Sequence, residues 1–518
     1  MVPAAAAFPR ADPHPEPGSG LSAAPRRQCV RGDRYPGASG PAVFLGALPV
    51  ALKSFRIIAF LVLLSGCVRY PSDRYRSLED YRRELPRAEI AALAKKKILT
   101  LDEAQKTALK GNPDYRSACL AVAGAKYRYY RSLAAYLPSV DFRAGIHHSL
   151  RNSHDLLNPP AGVMPRENNL SSDMGIYASW LLFDGLEREF SAMIARQEMR
   201  RSKALDRNAR RLLVRVVAYA YYDAVLAKET ARIAEADLSF QESSLRQAEN
   251  RYRNGLVSKA SVLNFRILAN RAKSAILNAR YREQTARNSL SSLMGFGQTD
   301  FPPDLELSPL PKEEQEIYQD LESCLEQAAE NRPDLRAAAL LLDIAQFRQW
   351  SAYSAFLPVV RADAGLQFVT GNARYGGYAV NRSHHNTLDF TYGISGEWNL
   401  FRGFDSFNAV REWRIRTELA KFQLEDTFLN AVTEVKDAYA DYCNARDQVK
   451  IYRETLQWVA EQRALVQSEF WNGRDTITRL NGAQSDLVEA QSRLAIALIE
   501  LRKAVIQLRT AMNVIPSP

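Results

Sequence analysis

The stretch AVTEVKDAYADYCNARDQVKIYRETLQWVAEQRALVQSEFWNG, residues 431–473, decides the fold. Alternate steps of four and three from Ala431 meet Val435, Ala438, Tyr442, Ala445, Val449, Tyr452, Leu456, Val459, Arg463, Val466 and Phe470, of which only Arg463 is not apolar. After Asn472-Gly473 the stepping resumes at Leu480, Ala483, Leu487, Ala490, Leu494, Ala497, Leu501, Ala504, Leu508 and Ala511. An apolar repeat of about 3.5 residues, sustained on both arms of a hairpin, is the pattern of coiled-coil helices. The alanine-rich seam lets the two backbones approach closely.

The same hairpin occurs 218 residues earlier. Its first arm carries Leu213, Val217, Ala220, Ala224, Ala227, Ala231, Ala234, Leu238, Gln241, Leu245, Ala248 and Tyr252; Asn254-Gly255 makes the turn. The return arm carries Val262, Phe265, Ala269, Ala272, Ile276, Ala279, Glu283, Ala286, Leu290 and Leu293. The chain is therefore an internal duplication, with Gln241, Glu283 and Arg463 as polar breaks in the seam. The duplication extends upstream: Asn112-Pro113-Asp114 and Asn331-Arg332-Pro333-Asp334 interrupt a shorter helix in each copy, and Leu137-Pro138 and Leu357-Pro358 end it.

Between each Leu-Pro and each Leu-Phe-x-Gly (182–185, 400–403) the period changes to two. Val140, Phe142, Ala144 and Ile146 alternate with Asp141, Arg143, Gly145 and His147; Met174, Ile176, Ala178, Trp180 and Leu182 form the partner set. In the second copy Val360, Ala362, Ala364, Leu366 and Phe368 pair with Phe390, Tyr392, Ile394, Gly396, Trp398 and Leu400. Strands of about ten residues, one face apolar and the other ionised, suit a transmembrane β-barrel with a wet lumen. Four strands cannot close a barrel, and an open edge in lipid costs several kcal/mol per unpaired group, so several chains must share one. Loops at about 148–172 and 370–387 then face outside.

The formal net charge of +11 falls to +7 for residues 67–518, and the charges are interspersed along helices rather than clustered. That does not mark a nucleic-acid binder. Residues 1 to about 50 are rich in Ala, Pro, Gly and Arg without periodicity; a disordered extension is expected, or a true translation start near Val50 or Leu52. Lys53-Ser54-Phe55-Arg56, an apolar run over 57–64 and Ser65-Gly66-Cys67 read as a secretory signal. Leu64-Ser65-Gly66-Cys67 resembles a bacterial lipobox, which marks Cys67 for lipidation, and Val68 favours the outer over the inner membrane.

In order, duplication and spacing, these features resemble the TolC family of outer-membrane factors, in its lipoprotein branch. The resemblance implies a mainly α fold with a transmembrane β-barrel portion: long antiparallel coiled-coil helices forming an α-barrel, four strands per chain contributing to a shared trimeric β-barrel, and two tandem structural repeats. The expected organisation is an extension and lipoprotein signal peptide (1–66) and a lipid-anchored segment (67–98). A first repeat (99–298) follows, with strands at about 139–148 and 173–183 and a hairpin at 186–295. After a linker (299–318) comes a second repeat (319–515), with strands at about 359–369 and 388–401 and a hairpin at 404–513.

The resemblance further implies a homotrimer in the outer membrane, lipid-anchored and reaching into the periplasm. It would serve as the passive exit duct of a tripartite efflux system with a periplasmic adaptor and an inner-membrane pump of RND or ABC type. A type I protein-secretion duct and a lipid-anchored coiled-coil scaffold without a pore are the alternatives. Asn254, Gly255, Asn472 and Gly473 become periplasmic tips for adaptor docking. Many family members place a constriction aspartate six residues after the second tip glycine; here that position is Arg479, with Asp475 the nearby acid, so these two are the candidate constriction. No catalytic motif is present, and the chain reads as a non-enzyme without cofactor apart from lipid on Cys67. The five cysteines match no zinc spacing, and the His147-His148 and His384-His385 pairs read as ordinary loop residues, so no metal site is assigned.

Overall fold

A computed structural model describes residues 98–152, 166–296, 305–309, 320–376 and 381–514. The extension and signal, Cys67, the anchored segment up to residue 97 and most of the inter-repeat linker lie outside the described residues. The first copy runs β1 (Ile98–Leu99), α1 (Leu101–Gly111), α2 (Pro113–Leu133), β2 (Ser139–Asn152), β3 (Arg166–Phe183), α3 (Glu187–Arg253) and α4 (Lys259–Leu293). After β4 (Glu306–Leu307) the second copy runs α5 (Leu321–Asn331), α6 (Pro333–Ala352), β5 (Val359–Gly376), β6 (Asn381–Glu397), α7 (Asp405–Trp471) and α8 (Ile477–Ala511).

Local chemistry sets the helix boundaries. Thr100 and Glu103 form a reciprocal capping box at the start of α1. Asn112 then ends α1 and caps α2 by accepting from the Tyr115 N–H at 3.1 Å. Pro113 and Pro333 occupy first-turn positions, where a missing N–H costs nothing. The helices α3 and α7 have 67 residues each, about 100 Å, whereas α4 and α8 have 35 each, about 53 Å. α2 fills beside α3, and α6 packs on both α3 and α7. Each long helix is thus flanked by a return helix toward one end and a shorter helix toward the other.

The heptad seam is the buried core of both hairpins. Val217, Ala224, Phe265, Ala272, Val435, Ala445, Val449, Leu480, Ala497 and Leu508 are all buried. The structure adds a second seam that the repeat did not mark: α8 also packs on α3, so Ile499 is fully buried with Val217, Tyr221 and Val225. At that level β1 and β4 pair in parallel, Ile98 with Glu306 and Leu99 with Leu307. The Tyr221 hydroxyl donates to the Leu99 carbonyl at 2.9 Å, and burial pushes its pKa up to about 12. The described part of the linker therefore lies midway along α3.

The polar breaks in the seam have partners. Arg463 Nε donates to Gln484 Oε1 at 3.1 Å, and Gln484 Nε2 donates to Asp237 Oδ1 at 2.8 Å. The Arg463 guanidinium also lies 4.5 Å from the Phe240 ring centroid, and Gln241 reaches Asp237 at 3.4 Å. This polar layer ties α3, α7 and α8 together. Glu283 pairs with Arg287 at 2.8 Å.

Candidate functional site

Both hairpins end in a sheet at one extremity and in a tight turn at the other. The sheet has the order β2-β3-β5-β6, antiparallel throughout, so β2 and β6 are open edges. Its register aligns the alternation across all four strands. Phe142, Ile176, Leu366 and Phe390 form one row, and Arg143, Gly175, Gln367 and Asp389 the next, on the opposite face. Phe142 is 70% exposed and Tyr392 81%: among the described residues nothing covers the apolar face. A face of this kind, many large side chains wide, fits an apolar surrounding rather than water.

The strands correct the sequence reading in length. They span 14, 18, 18 and 17 residues, not about ten, and much of the expected outer loops at 148–172 and 370–387 is paired strand. Residues 153–165 and 377–380 are outside the described set. The cause is that alternation reports only the part of a strand with an apolar face, whereas backbone pairing continues past it. From β6 into the residue just after it, that face runs from Leu388 to Trp398, and it is replaced by Asn386 one step beyond. Ten steps cover about 34 Å, or about 26 Å across a bilayer at a 40° tilt, which matches the apolar band of an outer-membrane barrel.

The two copies root the sheet on the helices in the same way. Trp180 Nε1 donates to the Tyr136 carbonyl and Trp398 Nε1 to the Phe356 carbonyl, each at 3.1 Å. The chain then reverses through two consecutive left-handed residues, Gly185-Leu186 and Gly403-Phe404. Arg188 closes the first junction, donating to the Leu181 carbonyl at 2.7 Å with its guanidinium 4.5 Å from the Tyr136 ring centroid.

At the far end both turns have one construction. Gly255 N–H donates to the Tyr252 carbonyl and Leu256 N–H to the Arg251 carbonyl; Gly473 and Arg474 repeat this onto Phe470 and Glu469. This is a Schellman closure, which needs a left-handed residue after the cap. Gly255 and Gly473 supply it at φ 72° and 74°, and an added Cβ would meet nothing within 4 Å. The glycines are therefore required by backbone conformation, not by space. Asn254 and Asn472 are the caps themselves.

The structure brings the two turns together. Arg251 donates to the Trp471 carbonyl at 2.6 Å, and its guanidinium lies 4.8 Å from the Trp471 ring centroid. Phe265 meets Phe470 edge-on at 6.3 Å. Sequence reasoning had not singled out Arg251 or Trp471; their nearness to the two turns was the available signal. The candidate constriction pair sits on this platform. The Asp475 side chain is 6% exposed, with Oδ2 3.4 Å from Arg479 Nη1, while the Arg479 side chain is 64% exposed. Asp475 Oδ1 accepts from the Thr476 N–H at 2.7 Å, and Thr476 caps α8 through the Arg479 N–H. The exposed member of the pair is thus the cation. Among the described residues no cluster of His, Cys, Asp and Glu is placed to hold a metal.

A four-stranded sheet with a lipid-type face and two open edges, carried on hairpins about 100 Å long, is the architecture of an outer-membrane channel subunit. The comparisons agree. The chain belongs to the outer membrane efflux protein family, whose model matches residues 105–296 and 324–514, one segment in each copy. It is 26% identical over 415 residues to Protein CyaE of Bordetella pertussis, covering 80% of this chain and 84% of that protein. It is 22% identical over 383 residues to the outer membrane protein TolC of Vibrio cholerae, covering 74% and 83%. It is 25% identical over 305 residues to the alkaline protease secretion protein AprF of Pseudomonas aeruginosa, covering 58% and 59%. Among solved structures, the Campylobacter jejuni CmeC outer membrane channel superposes with a TM-score of 0.68 at 14% identity, covering 80% and 85% of the two chains. CusC superposes at 0.65 and 20% identity, covering 82% and 92%.

Proposed function

We propose that this protein is the outer-membrane exit duct of a tripartite efflux system. Three copies join β6 to β2 into one twelve-stranded barrel, and their hairpins form a tube across the periplasm. The observation that carries this reading is the in-register apolar band on a sheet with two open edges: in lipid those edges need partners, and further copies of the chain supply them. An exposed heptad-spaced stripe on α7, Ile451, Trp458 and Leu465, offers helix surface for the same assembly. The duct is passive. A periplasmic adaptor docks at Asn254-Gly255 and Asn472-Gly473, an inner-membrane pump of RND or ABC type supplies the drive, and lipid on Cys67 anchors each chain in the outer membrane.

Small-molecule efflux is favoured by the family description and by 24% identity over 410 residues to a probable efflux pump outer membrane protein, TtgC of Pseudomonas putida. The similarity to AprF supports protein secretion as the second reading. Deleting the gene separates them: greater sensitivity to small toxic compounds is expected, whereas loss of one secreted protein with unchanged sensitivity would replace efflux by secretion. Single-channel recording of the purified protein tests the duct itself, because a scaffold without a pore conducts nothing.

A further inference from the structure

We infer that the hairpin end of the duct favours anions, through Arg253, Lys259, Arg474 and Arg479. The inference rests on the duct reading above and adds a class of solute to it. The contacts between Arg251 and Trp471 and between Phe265 and Phe470 hold the two turns side by side, so their ends form one surface. Residues 250–260 and 470–480 contain five Arg or Lys and one acid. Arg251 is engaged by the Trp471 carbonyl; the other four cations are exposed. The one acid, Asp475, is folded beneath Arg479. One turn back, Glu249 is taken by Arg266 at 2.9 Å, and Glu469 is the exposed acid.

Helix stability accounts for Arg253, in the last turn of α3, but not for Lys259 and Arg479. Neither α4 nor α8 has an acid in its first turn. Lys259 and Arg479 occupy those turns instead, where the helix dipole favours negative charge. What the arrangement does supply is a positive field at an opening. The turns lie about 100 Å along the helices from the sheet, at the mouth through which solute enters the tube. A mouth ringed by one sign of charge, repeated in every copy, concentrates ions of the other sign and discriminates between them.

The test is the reversal potential of the purified protein in a planar bilayer across a KCl gradient. The wild type is expected to pass chloride in preference to potassium, with the preference shrinking as salt screens the charges. Arg474→Glu with Arg479→Glu is expected to invert the permeability ratio, by several-fold. Lys259→Gln should shift it in the same direction by less. A wild type that prefers potassium, or a double variant with an unchanged ratio, overturns the inference while leaving the duct intact. An assembled protein that conducts no ions removes the duct reading, and the inference with it.

Discussion

The two copies build one junction in two ways, where each short helix meets the end of its return helix. In the first copy Asn112 Nδ2 donates to the Leu293 carbonyl at 3.0 Å; in the second, Arg332 Nη1 donates to the Ala511 carbonyl at 3.3 Å. Both satisfy a carbonyl that the helix end leaves without an intrahelical partner. The surroundings differ. In the first copy Gly111 and Gly295 bring two backbones into direct contact: a Cβ on Gly111 would lie 2.3 Å from the Met294 oxygen, and one on Gly295 2.3 Å from the Gly111 oxygen. In the second copy these positions are Asn331 and Asn513, and the Asn513 side chain bridges to the Asn331 carbonyl at 2.9 Å.

Next to this bridge the second copy carries a network of charges. Arg332 reaches Asp334 at 2.6 Å and Glu434 at 2.7 Å; Arg211 reaches Asp334 at 3.2 Å, and Arg215 reaches Glu434 at 3.1 Å. Arg211 also donates to the Thr510 carbonyl at 3.0 Å, so the network holds α3, α6, α7 and α8 together. Burial lowers the Arg211 pKa more than its carboxylate partners raise it. For Asp334 burial raises the pKa, but the hydrogen bonds and charges of Arg332 and Arg211 outweigh it and hold the carboxyl below its usual range. Duplicated backbone therefore does not require duplicated chemistry: what recurs is the need to satisfy the helix end.

Removing Arg332 should have the largest effect. Arg332→Met leaves Asp334 and Glu434 short of a buried partner and is expected to cost about 4 kcal/mol, against about 1 kcal/mol for Asn112→Ala. Denaturant melts of the detergent-solubilised protein measure both; equal losses would break the distinction between the junctions. Next comes Gly111→Ala, which forces two backbones apart and should cost about 2–3 kcal/mol, while Asn331→Ala at the matching position costs under about 1 kcal/mol. The smallest effect is that of acid. Asp334 has a folded pKa below its unfolded value of about 3.9, so its contribution is present above that value and is lost as pH falls through the folded pKa. Acid should loosen the second junction around Asp334, and Asp334→Asn should remove that part of the response in hydrogen exchange on α6. Protection that falls equally in wild type and variant would assign the acid response to other groups.

Much of the architecture was legible because it repeats. The seam shows in residues such as Val435 and Leu480 because burial recurs every three or four residues, and the Asn-Gly turns because only a left-handed residue closes them. The strands were legible as a membrane band but not in length, since pairing beyond Leu388 rests on backbone groups that every residue carries. At the tip, the sequence marked Arg479 and Asp475 but not which of them is exposed; the four-residue spacing on one helical turn, with Asp475 folded inward, decides for the cation.

Sequence alone determined the duplication, the hairpins, the polar breaks and the apolar band, because each is a periodicity or a local backbone requirement. Tertiary structure alone decided which charges meet. Arg211 and Asp334 are 123 residues apart and Arg211 and Thr510 are 299 apart, and no local pattern links them. Likewise Ile499 reads as an off-seam position until α8 packs on α3. Periodicity records which face of an element is buried. It does not record which neighbour buries it, and that choice set the partners of Arg332, the layer around Gln484 and the joined turns of Arg251 and Trp471.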